Sequence, residues 1–381
     1  MNRRLLLRGG VGVAALAALG GAGWIVSLPA PTRRTVPPPV PPQEIDAILA
    51  TLKPPKRPRP LIAIIGVNEG TEINDYVMPF GILRRADVAD VFAVATKEGS
   101  VTLFPALKVE AQASVAAFDA AHPQGADYVI VPAMHRDDDP AALQWIKAQA
   151  AKGATIIGVC AGAKVVAAAG LLDGKRATTH WYYLKEMRAK HPTIEYVADR
   201  RIVADRGVVT TTGITAAMPM TLTLIEAIAG RSRAEAVAQG LGLSHWDARH
   251  DSSAFRLTRP FALTVMRNRF AFWNHEELGI ALEDGVDEVS LALVADAWSR
   301  TYRSQALTFA PTGEARQSRN GLRIFPDRVM AKWPTARLLP PIADPPPEAL
   351  DKTLDAIASR YDAGTANIVA MQLEYPQSTT A

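Results

Sequence analysis

One cysteine stands in the 381 residues, Cys160. It occupies the run Gly158-Val159-Cys160-Ala161-Gly162-Ala163, between the apolar stretch Thr155–Val159 and the alanine-rich stretch Lys164–Ala169. Glycines two places before and after a nucleophile mark a sharp strand-to-helix turn that lifts the side chain above a sheet edge. Only small neighbours fit such a turn. A sulfur placed there lies near a helix N-terminus, whose N–H groups and dipole favour thiolate and oxyanion. That position predicts a thiol more acidic than a free cysteine, able to attack electrophilic carbon and open to mild oxidation. The plainer alternative is a structural cysteine buried between two glycines. A single cysteine excludes a disulfide framework and a cysteine-rich zinc site.

Other groups have the right types to join such chemistry. Asp75, four residues before Pro79, either caps the helix it opens or acts as an acid. His180 offers a base or a thiolate partner if it reaches Cys160. His135 with Asp137-Asp138-Asp139, and His245-Trp246-Asp247 with His250-Asp251, contain metal-ligand types but no helical histidine pair. A solvated acidic loop and an interdomain linker are the better readings, and no metal or cofactor is expected.

The elements that must position these residues follow from apolar patterning. Leu61–Ile65 is a short continuous apolar run, the mark of a strand buried on both faces. Further strands are expected at Val91–Ala95, Val101–Phe104, Tyr128–Val131 and Thr155–Val159. Helical patterns lie near Asp75–Arg85, Glu110–Ala121 and Ala141–Ala151. Alternation of strand and helix predicts an α/β fold, a doubly wound parallel sheet with helices on both faces and its site at the carboxyl ends of the strands. The 48% hydrophobic and 21% charged content fits a globular chain. The net charge of +4 reflects arginines crowded into the first 34 residues, so no nucleic-acid stripe remains and a small molecule is the expected partner.

Several motifs in order resemble one superfamily. Gly158–Ala163, followed by Gly170-Leu171-Leu172-Asp173-Gly174 and Thr178-Thr179-His180-Trp181, is similar to ThiJ/PfpI proteins of the class I glutamine amidotransferase-like fold. So are Gly70–Pro79 with Leu83-Arg84-Arg85-Ala86, and Val208–Gly213 with Met218–Gly230. The similarity is greatest to isonitrile hydratases and to the sensor domains of GlxA-type, AraC-like regulators. It spans about residues 61–230 and implies a flavodoxin-like sheet. It also implies Cys160 as the reactive thiol, Asp75 as the acid contacting it and His180 beside it. Backbone N–H groups of Ala161 and Met134 would form an oxyanion hole, with His135 and Thr179 contacting substrate. Two departures bear on activity: Pro132-Ala133-Met134-His135 replaces the usual Pro-Gly-Gly, and Ala161 replaces the threonine that follows the cysteine in hydratases.

Outside that region, Arg3-Arg4-Leu5-Leu6-Leu7-Arg8 resembles a twin-arginine export signal. An uncharged run from Val11 to Leu28 follows it, at the lower edge of the ~17–25 residues of a membrane span. Export is expected, to the periplasm or to the inner membrane facing it, with cleavage or anchoring left open. Residues 31–60 are proline-rich and read as a spacer. After the domain at 61–240 and a linker at 241–277, residues 278–381 repeat part of the first pattern. Leu278–Gly285 mirrors the opening strand and its Gly70 turn, Val294 falls opposite Pro79, Arg300 opposite Arg85, and Ser290 stands where Asp75 stood. This partial, degenerate copy carries no cysteine. Its expected role is to cover the pocket as a second subunit would, and homodimerisation stays open. A helix at Pro347–Ala363 and a strand at Asn367–Leu373 close the chain, with no helix-turn-helix pair. The leading expectation is a cysteine-dependent hydrolase or hydratase-like enzyme on a small electrophile. The alternative is a non-catalytic small-molecule or redox sensor.

Overall fold

Leu61–Gly66 is buried at all six positions, so it must be covered on both faces and paired on both edges. It is. In the computed structural model, which describes residues 23–31, 36–54 and 56–376, this strand runs parallel to Asp90–Ala95 on one side and Tyr128–Val131 on the other. Thr155–Gly158 and Val208–Thr211 continue the parallel sheet beyond Tyr128–Val131. Ile202–Asp205 closes that edge antiparallel, and Ala113–Ser114 the other edge. The order is flavodoxin-like, with helices on both faces. Gly66, Val131 and Gly158 therefore end at one edge, and the turns after them build the site.

Several local expectations change. Ser100–Phe104 (expected as Val101–Phe104) belongs to a second, five-stranded sheet, between Glu69–Glu72 and Lys108–Glu110. The helix expected from Glu110 begins only at Val115, where the Ser114 hydroxyl caps it by accepting from Ala117 N at 3.2 Å. Asn367–Leu373 is helical within Ala363–Leu373, started by Asp362, which accepts from Thr365 N at 2.8 Å. A short apolar run fits a buried strand and a buried helix equally well, so periodicity could not separate them. Within the proline-rich stretch, Pro42–Thr51 is a helix that buries Ile48, and Glu44 pairs with Arg200 at 2.6 Å.

The expected export and membrane-facing placement is corrected. Among the described residues no helix is long and apolar enough to cross a membrane. Residues 23–31, the end of the apolar run, lie against the folded body: Pro29 O accepts from Arg259 N at 3.0 Å and Val26 O from the Arg259 guanidinium at 2.6 Å. The twin-arginine motif and most of the apolar run fall outside the described residues.

In the second half, Glu276–Ala281 pairs parallel with Ser304–Ala310, joined by the helix Glu288–Ser299. That helix packs on Ile73–Ala86 of the first half. The approach is close because Gly81 has no side chain; a Cβ there would lie 2.6 Å from Glu288 Oε1. The contact is reciprocal. Arg300 meets Glu72 at 2.8 Å and Arg85 meets Asp287 at 2.5 Å, so each helix sends an arginine to the start of the other. Arg323–Phe325 also adds to Lys108–Glu110, so the halves share a sheet and one continuous apolar core.

Candidate functional site

Val159 leaves the strand with its N–H on Val131 O at 2.9 Å, and Cys160 then takes a left-handed backbone, φ 56°. A non-glycine residue in that region is strained and persists only where its surroundings hold it. Two threonines do so: Thr211 Oγ1 accepts from Cys160 N, and Thr179 Oγ1 donates to Cys160 O, both at 3.1 Å. The chain then enters the helix Gly162–Ala168. A Cβ on Gly162 would stand 1.9 Å from Val131 O, which is why the turn demands glycine.

The sulfur faces a cavity of about 570 Å³, whose lining includes Met134, Tyr183, Phe261 and Arg300. Cys160 is 3% exposed. Burial, and then the negative charges of Asp75, Glu72 and Glu374, push its thiol well above the ordinary value, while a hydrogen bond from the Ala161 backbone opposes them. The expected acidic thiol is corrected: three carboxylates and desolvation outweigh a helix terminus only seven residues long.

Asp75 does not cap its helix. Glu72 does, its Oε2 accepting from Asp75 N at 2.7 Å. Asp75 is fully buried, one carboxylate oxygen accepting from Ala133 N at 3.0 Å and the other, Oδ1, without a hydrogen-bond partner. Burial raises its pKa to about 7. Burial and the charges of Asp75 and Asp296 raise Glu72 as well. Arg300 Nε meets Asp296 at 2.6 Å, and Asn74 donates to the same carboxylate at 2.6 Å. Burial pulls the Arg300 guanidinium down, but Asp296 and Glu72 more than reverse it. One guanidinium thus pairs with two buried carboxyls beside a third, and burial pushes all three, Glu72, Asp75 and Asp296, toward their protonated forms.

The other expected residues separate. Met134 stands opposite Thr71 in an isolated antiparallel bridge flanked by Glu72 N→Ala133 O and His135 N→Gly70 O, both 2.8 Å. In such a pair its own N–H points away from Thr71. His135 lies on the cavity rim, its ring 4.5 Å from Phe104. His180 lines the cavity but is held on both nitrogens: Nδ1 accepts from Tyr182 N at 3.2 Å, and Nε2 lies 2.9 Å from Gln372 O. With no free lone pair and a pKa lowered by burial, it is not placed to take a proton from sulfur. Thr179 positions the Cys160 carbonyl and lines a neighbouring cavity instead. Arg300, Glu72, Gln372 and Glu374 were missed. Arg300 was readable only as the counterpart of Arg85, while Gln372 lies on a segment expected to be a strand and Glu374 just beyond it.

A model of the DJ-1/PfpI family matches residues 62–227, the segment carrying the elbow, Asp75 and the parallel sheet. Residues 62–227 are a DJ-1/PfpI domain. Isonitrile hydratase of Pseudomonas putida is 40% identical over 101 residues, 26% of this chain and 42% of that protein. The HTH-type transcriptional regulator CdhR of Pseudomonas aeruginosa is 30% identical over 125 residues, 33% of this chain and 37% of it. The chain therefore spans about two fifths of the length of these two curated relatives. Among solved structures, Drosophila melanogaster DJ-1beta aligns at 22% identity with a TM-score of 0.44, over 49% of this chain and 100% of that one. An AraC family regulator from Pseudomonas putida aligns at 20% with a TM-score of 0.42, over 48% and 98%. The DJ-1/PfpI domain supplies Cys160 and Asp75, while Trp24, Phe261, Arg300 and Gln372 reach the cavity from outside it.

Proposed function

We propose that the DJ-1/PfpI domain uses Cys160 as a nucleophile on a small, neutral electrophile, in a hydrolase or hydratase-like reaction. The observation that carries this reading is the strained Cys160 backbone, φ 56°, over a cavity backed by an acid with a pKa of about 7. An acid poised there suits proton transfer near neutrality. The resting sulfur is a thiol, so its proton passes to Asp75 as the S–C bond forms. Backbone N–H groups of Ala161 and Met134 stabilise the negative charge that develops on the substrate, and Asp75 returns the proton to it, on the attacked carbon where the substrate is an isonitrile. Water then adds to the carbon of the adduct, one of its protons passing to the substrate heteroatom and the other to sulfur as the S–C bond breaks, so that the hydrated product leaves and the thiol is restored. The substrate is neutral because both cations in the cavity are already paired: Arg300 with Glu72 and Asp296, and Lys164 with Asp137 at 2.9 Å and Glu186 at 3.0 Å.

Residues 278–381 act in this proposal as a built-in partner. They are a degenerate copy of the first half that contributes Arg300 and one cavity wall but no thiol of its own.

A second reading, ligand sensing without turnover, is favoured by the 3% exposure of Cys160 and its raised pKa. Regulators among the relatives agree with it. Hydration of a small alkyl isonitrile, followed as formamide release, separates the two. Turnover abolished by Cys160→Ala supports the enzyme. Absence of turnover, with ligand binding retained in Cys160→Ala, leaves the sensor.

A further inference from the structure

The cavity beside the Cys160 site is the larger one, about 1060 Å³. The turn Trp181–Tyr183 separates them, and Trp181 and Tyr182 line both. Its walls carry the rings of Trp181, Tyr182 and Tyr196. Its charges do not balance. The two acids on its lining already have partners. Glu186 is held by Lys164 at 3.0 Å and Lys190 at 2.7 Å. Glu374 accepts from Trp181 N at 2.8 Å and Gly213 N at 2.7 Å, and lies 3.5 Å from His250. The cations Lys185, Arg188 and Arg256 line the same cavity, and among the described residues none has a carboxylate within ion-pair distance. Arg256 spends one N–H on Ala30 O at 3.0 Å and leaves Nε without a partner. Thr212, 3% exposed, also lines the cavity with an unpartnered hydroxyl.

We propose that this cavity is a second binding site, distinct from the Cys160 pocket, for a small organic anion: a carboxylate or phosphate carried on a flat apolar body. The body lies against the aromatic wall, where a ring gains contact and stacking. The anionic group meets Arg188, Arg256 and Lys185, whose guanidiniums suit bidentate binding of either oxyanion. Glu374 keeps its negative charge, with its oxygens held by backbone N–H groups and close to His250, but the three unpaired cations outnumber it.

The test is calorimetric titration of the full chain with benzoate, phenyl phosphate and neutral benzamide, before and after carbamidomethylation of Cys160. Benzoate or phenyl phosphate should bind, the stronger of the two identifying the anion, and benzamide at least about tenfold more weakly. Arg188→Gln and Arg256→Gln should each weaken the anion about tenfold, and blocking Cys160 should leave binding intact. Arg188 is exposed, so its replacement leaves the fold unburdened. Equal binding of benzamide, indifference to both replacements, loss of binding on Cys160 blocking, or no binding of either anion would overturn the second site. None of these outcomes depends on turnover at Cys160.

Discussion

At the scale of the residue, Asp75 and Cys160 compete for protons in one desolvated space. Ionised Asp75 raises the thiol, and protonated Asp75 has an unpartnered Oδ1 from which to donate. The same shift bears on stability. The folded Asp75 pKa of about 7 lies above the ordinary 3.8, so the folded state binds more protons across that interval. Its contribution is fully present below about pH 4 and is lost as pH rises through about 7. Asp75→Asn keeps the shape and cannot ionise. Its melting temperature relative to the parent should therefore rise between pH 5 and about pH 7 and level off above it; a difference constant from pH 5 to pH 7 would contradict a buried, titrating Asp75. The elbow was legible because its steric demand is written into small residues adjacent in sequence. The pKa of its sulfur was not, because Glu72 and Glu374 act on it through space.

At the scale of the element, the turn between Thr155–Gly158 and Gly162–Ala168 tolerates no side chain where Val131 O approaches. Gly162→Ala puts a methyl group 1.9 Å from that oxygen and should destabilise by more than the ~1–3 kcal/mol typical of overpacking. Gly158→Ala, whose Cβ would stand 3.1 Å from the Ala163 backbone, should cost less. Denaturant midpoints of the two variants check this order, and equal midpoints would show that the turn relaxes freely. The parallel strands were readable from apolar runs because burial on both faces leaves no other composition. Ala363–Leu373 was not, since its apolar positions fit either period. That miss hid the helix whose end delivers Gln372 and Glu374 beside His180 and Trp181.

At the scale of the whole molecule, the two halves are held by buried ion pairs and not by a linker alone. Removing Arg300 strands Glu72 and Asp296, so Arg300→Met should lose about 3–5 kcal/mol of stability. Arg85→Met breaks the reciprocal pair, which is partly exposed at 16% and 14%, and should lose clearly less. A comparable loss in both would mean that Arg300 has no special burden. Spacing could set Arg300 against Arg85, but spacing alone could not tell that Arg300 crosses to Glu72. Nor could composition tell that residues 23–31 fold back onto Arg256 and Arg259 and bring Trp24 to the cavity.

The claim on which the functional reading rests is that Cys160 and Asp75 act as one acid–thiol pair. Its most direct measurement is the pH dependence of Cys160 alkylation by iodoacetamide, a neutral probe, in the parent and in Asp75→Asn. The pair predicts a rate slower than a simple thiol at pH 7, with an inflection near pH 7 as Asp75 becomes able to accept the proton. In Asp75→Asn that inflection should vanish, leaving only a rise at higher pH as the thiol itself ionises. Identical profiles in the two proteins would contradict the account.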